Sequence, residues 1–77
     1  MTNAQQATQT GNGTVIVSYW PNYQGWGLEV QPTDDYQEAN RATRFDCVFN
    51  MSDTKYDAMM EAELYAKHHG MKVRVIA

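Results

Sequence analysis

The chain predicts a small α+β domain, a two-layer sandwich with the order strand-strand-strand-helix-strand and one helix packed on one face of the sheet. Three observations carry this. One stretch, 52–70, has every mark of a helix. Three segments before it alternate or run β-branched, and one segment after it alternates again. The first three strands are joined by short connections, which makes them an antiparallel meander, and the helix delivers the last strand by a right-handed crossover.

Residues 1–13 are polar, uncharged and low in complexity, and are expected to be a disordered tail; 14–77 is then a single domain. Residues 14–20 (TVIVSYW) are β-branched and aromatic, hence a strand. Pro21, Asn22 and Gly25 bring turn chemistry at hairpin length. In 26–31, Trp26, Leu28 and Val30 alternate with Gly27, Glu29 and Gln31, the pattern of a half-buried antiparallel strand. Residues 32–40 break the pattern and carry Asp34, Asp35 and Glu38. A loop is expected there, with a short helix capped by Thr33 as the alternative. Residues 41–51 alternate again, with Phe45, Cys47 and Phe49 on one side and Arg44, Asp46 and Val48 on the other.

The helix follows. Ser52, Asp53 and Thr54 offer capping oxygens, while Lys67, His68 and His69 suit the dipole at its end and Gly70 suits a left-handed cap. Its buried face is Ala58, Met59, Ala62, Tyr65, Ala66 and His69, small at the centre so that the helix can lie close on the sheet. In 71–77, Val73 and Val75 point inward and Lys72 and Arg74 outward.

Composition narrows the function classes. A net charge of −3 runs against general nucleic-acid binding and against anionic membrane surfaces. No apolar run is long enough to span a bilayer, and a basic-then-apolar leader is lacking. The single cysteine, Cys47, cannot form an internal disulfide, so a reducing cytoplasm is expected. Two sequons, at Asn12 and Asn50, are read as chance on that ground. Catalysis finds no motif. Cys47 is expected to be buried and inert between Phe45 and Phe49. His68 and His69 are adjacent, so their side chains diverge by about 100° and do not share a metal. The acidic ridge of Asp53, Asp57 and Glu61 reads as a solvated helix face. No enzyme activity, cofactor or metal is expected.

What remains is a surface. Tyr19, Trp20, Tyr23 and Trp26 fall around one turn. Tyr19 and Trp26 are expected to stack across the strands, while Trp20 and Tyr23 are pushed outward and form a protein-binding hot spot. The outer sheet face would hold Ile16, Trp20, Glu29, Arg44, Asp46, Val48, Lys72 and Arg74. Trp20, Tyr23, Arg44, Lys72 and Arg74 are therefore the expected partner-binding residues. Arg44, Lys72 and Arg74 make up half of the six basic residues, so a small module binding RNA or single-stranded nucleic acid through that face is the alternative. Self-association as a homodimer through an exposed strand edge is a further expectation.

Three resemblances bear on this. Residues 54–75, with Ala58, Ala62, Ala66 and Gly70, resemble the helix and following strand in the first half of the ribonuclease H fold. That family's activity needs carboxylates in its first and fourth strands; TVIVSYW has none, so the activity is not carried over. Residues 14–77, with Gly25-Trp26 in the hairpin, resemble HicB-like antitoxins, which implies an antitoxin-like partner of a small toxin. The polar leader, mild acidity and abundance of aromatics and Met resemble the small early proteins of bacteriophages, anti-CRISPR proteins among them. That likeness implies a non-enzymatic inhibitor of a host protein or defence complex, working in the host cytoplasm.

Overall fold

The computed structural model describes residues 11–43, 45 and 52–76. Strand β1 (Gly13–Trp20) leads through a 3-10 turn (Pro21–Tyr23) into strand β2 (Gly25–Pro32). Helices α1 (Asp34–Ala39) and α2 (Lys55–His69) follow, then strand β3 (Lys72–Ile76). The sheet order is β2-β1-β3, with β1 antiparallel to β2 and parallel to β3. The expected α+β layout holds, as a three-strand mixed sheet with one long helix. The strand expected over 41–51 falls largely outside the described residues, Cys47 included. Residues 41–43 turn rather than extend, with the Thr43 N–H donating to the Asn40 carbonyl at 2.9 Å. Farther on, Ser52 and Trp26 exchange backbone hydrogen bonds, both of 2.8 Å, as an antiparallel bridge.

The core lies between α2 and one face of the sheet. Val15, Val17, Leu28 and Val30 from the strands meet Ala58, Ala62 and Ala66 from the helix, and Met71 closes the end. Fully burying a side chain such as Val15 or Leu28 contributes about 1.5–3 kcal/mol. The alanines have little area to bury, but their size lets the helix backbone come close enough for the strand side chains to fill the space. The helix is bounded as its sequence requires. Thr54 Oγ1 accepts the Asp57 N–H at 3.1 Å. At the other end Gly70 takes a left-handed φ of 69°, and the Met71 N–H reaches back to the Ala66 carbonyl at 2.8 Å, a Schellman-type stop.

Two expectations are corrected here. Residues 32–40 are not a loop: Pro32 ends β2, Thr33 Oγ1 accepts the Tyr36 N–H at 3.2 Å, and α1 runs from Asp34 to Ala39. Its apolar periodicity is weak because one residue, Tyr36, holds it to the core through ring contacts with Phe45 and His69. Of the leader expected to be disordered, residues 11–13 have a defined place in the fold. The Asn12 N–H donates to the Gly70 carbonyl at 3.0 Å, the Asn12 amide to the His69 carbonyl at 2.6 Å, and the Thr33 N–H to the Asn12 carbonyl at 2.9 Å. One asparagine thus ties the entry of β1 to the exits of β2 and α2. Gly13, next to it, sits at φ 145°, where a Cβ would collide with the Gln31 carbonyl and lie 2.7 Å from Pro32 Cα. Residues 1–10 lie outside the described residues.

Candidate protein-binding surface

The hairpin end is built by backbone geometry first. Pro21 opens the 3-10 turn, the Gln24 N–H closes it on the Pro21 carbonyl at 3.2 Å, and Gln24 itself takes the left-handed φ of 53°. Strand register then pairs Tyr19 with Trp26 and Trp20 with Gly25. Tyr19 and Trp26 point to the helix side, where their rings meet edge to face at 5.5 Å. The Lys55 ammonium stands 5.8 Å from the Trp26 ring centroid, which places the start of α2 at this end as well. Trp20 and Tyr23 form a second pair with centroids 6.4 Å apart. Tyr23 is 67% exposed and Tyr19 48% exposed, while both tryptophans are half-buried.

Trp20 is therefore less free than expected. Its register partner across the hairpin is Gly25, which is itself buried. The Nε1 of that indole is buried and has no hydrogen-bond partner among the described residues. Leaving such a donor unpaired costs about 1–3 kcal/mol.

The face of the sheet away from α2 carries no other element among the described residues. Register sets its rows: Gln31, Thr14, Lys72; then Glu29, Ile16, Arg74; then Gly27, Ser18, Ile76. Lys72 and Arg74 are exposed, as expected, and stand two apart on the β3 side. Glu29, holding the Gln31 amide at 3.0 Å, stands on the β2 side. The face is thus polarised, basic toward β3 and acidic toward β2. Ile16 corrects the expectation of a solvated face: it is 8% exposed, flanked by Glu29 and Arg74, whose aliphatic stems can cover it. Arg44, Asp46 and Val48 lie outside the described residues. So the structure brings Trp20, Tyr23, Lys72 and Arg74 to one side and its hairpin end.

The opposite end gathers a different set of rings. His69 is in ring contact with Tyr65 at 4.4 Å, Phe45 at 5.7 Å and Tyr36 at 6.0 Å, and its Nδ1 is hydrogen-bonded to the Tyr36 hydroxyl at 2.8 Å. Desolvation by these neighbours, then the charge of His68, pushes the His69 pKa below its usual value. A histidine whose charged form is disfavoured does less for the helix dipole, so that expected role falls mainly to the exposed Lys67. His69 is instead the pin that fixes α1 to α2. No group of three or more metal-ligating side chains occurs among the described residues. A shallow depression beside α1, lined by Asp34, Gln37, Glu38, Arg41 and Thr43, holds only exposed polar groups and a loose Glu38–Arg41 pair at 3.6 Å. No helix among the described residues is long and apolar enough to cross a membrane.

One exposed feature is new relative to the sequence reading. Tyr56, Met60 and Leu64 are 70%, 44% and 68% exposed on α2. Their four-residue spacing is visible in the sequence, but the alanine face of the same helix accounts for its amphipathicity and draws attention away from them. Compared with protein-family models, with curated proteins and with solved structures, the chain matches none.

Proposed function

We propose that the protein is a non-enzymatic protein-binding domain that docks a partner with its hairpin end and the adjoining outer sheet face, and acts by occupying that partner's surface. The observation that carries this reading is the exposure of Tyr19 and Tyr23 on a hairpin where each packs its ring against a half-buried tryptophan. Tyrosine and tryptophan supply large contact area with few rotatable bonds, which is why they dominate binding hot spots. Lys72 and Arg74 would form the basic rim and favour an acidic partner surface.

Affinity capture with the wild-type chain beside Tyr23→Ala and a Lys72→Glu/Arg74→Glu double variant tests it. The proposal expects a stoichiometric protein partner that Tyr23→Ala loses by about tenfold or more in affinity while its melting temperature stays put. Salt-sensitive recovery of RNA or DNA, lost in the double variant and kept in Tyr23→Ala, would replace it with nucleic-acid binding.

A further inference from the structure

We propose that the solvent-facing ridge of α2 is a self-association face, on which two copies pair through antiparallel α2 helices about a two-fold axis level with Ala62. The ridge lies on the far side of the molecule from the outer sheet face, so this inference is independent of the docking surface proposed above.

The first support is burial. Tyr56, Met60 and Leu64 follow one another at four-residue spacing and make a row about 12 Å long, opposite the buried Ala58, Ala62 and Ala66. Three large apolar side chains in a line are more than scattered surface hydrophobics, and such a stripe marks a contact surface. The second support is symmetry. A two-fold interface must be complementary to itself, residue i meeting residue j while j meets i. Three pairs on this face share one midpoint, position 62: Met60 with Leu64, Asp57 with Lys67, and Tyr56 with His68. An antiparallel pair centred there seats Met60 on the other copy's Leu64 and sets each Asp57 against a Lys67. Each Tyr56 comes to lie against a His68. Each of these three contacts is then apolar on apolar, acid on base, or ring on ring, while Glu61 and Glu63, which share the same midpoint, lie off the ridge. Met60, Asp57, Lys67, Tyr56, Leu64 and His68 are all exposed. At 100° per residue Glu61 and Glu63 fall on opposite flanks of the ridge, at the wet rim. Antiparallel alignment also brings the positive end of each helix dipole to the negative end of the other.

Sedimentation velocity from micromolar to millimolar concentration is the test. A monomer–dimer equilibrium is expected for the wild type, weakened about tenfold or more by Leu64→Glu and unchanged by Tyr23→Ala. Asp57→Lys alone sets Lys against Lys, and Lys67→Asp alone sets Asp against Asp, so each is expected to be monomeric. An equimolar mixture of these two variants restores both ion pairs and is expected to form the heterodimer. Circular dichroism checks that each variant is folded. A wild type that stays monomeric throughout, a dimer indifferent to Leu64→Glu, or folded charge variants whose mixture fails to associate would each overturn the proposal. A dimer that survives Leu64→Glu but is lost in a β3 edge variant would move the contact to the strand edge.

Discussion

The two ends of the domain are equally rich in rings and use them differently. At the end where α2 stops, Tyr36, Phe45, Tyr65 and His69 interlock, and the polar atoms among them are paired: the Tyr36 hydroxyl with His69 Nδ1, the Asn12 amide with the His69 carbonyl. At the hairpin end Tyr19 pairs with Trp26 and Trp20 with Tyr23, two tyrosines face solvent, and the Trp20 indole N–H has no hydrogen-bond partner among the described residues. Aromatic density therefore does not distinguish the interlocked end from the exposed one. The fate of the hydroxyl, amide and indole hydrogens does.

Four changes can break or sharpen that contrast. Tyr36→Ala removes the ring that holds α1 and the partner of His69, and should cost about 2 kcal/mol, lowering the melting temperature by roughly 10 °C in a domain this small. Acidification should act on the same cluster. The His69 pKa is depressed in the folded state, so the unfolded chain takes up the proton first. Its contribution is whole above the ordinary histidine pKa of about 6.5 and is lost as the pH falls through the lowered folded value. Urea titrations at neutral and mildly acidic pH should show the midpoint falling, and His69→Gln should flatten that fall. At the hairpin end Gln24→Gly relieves a left-handed backbone and should stabilise by about 0.5–1 kcal/mol, read as a raised urea midpoint. Tyr23→Ala should change stability by less than about 0.5 kcal/mol, since its ring is mostly in water. A loss as large as that for Tyr36→Ala would put the hairpin rings in the framework and end the contrast.

What was legible in the residues follows from which signals are local. The hairpin, the long helix with its Thr54 and Gly70 boundaries, the alanine seam and the outward Lys72 and Arg74 all declare themselves by spacing or capping chemistry within a few positions. Helix α1 does not, because its packing rests on a tyrosine whose partners lie outside the helix, at Phe45 and, 33 residues away, at His69. Asn12 is unreadable for the same reason, since its amide closes a contact 57 positions distant. The burial of Ile16 runs against the outward parity of its position, so spacing alone does not reveal it. Of the candidate surface, the outward placing of Tyr23 was legible from the turn. The half-burial of Trp20 was not, because strand parity and the turn point its ring outward.

The order of the sheet has a consequence for synthesis. β1, the middle strand, is the first made, yet its parallel neighbour β3 is the last, and α2 must be laid down between them. Until Met71–Ile76 has left the ribosome, a hydrophobic strand is paired along one side only and presents a bare backbone edge along the other. Any nascent copy nearby could lend its own β3 to that gap, so crowding on a polysome should favour exchange of β3 between copies, and slow emergence of residues 72–76 should make the exchange worse.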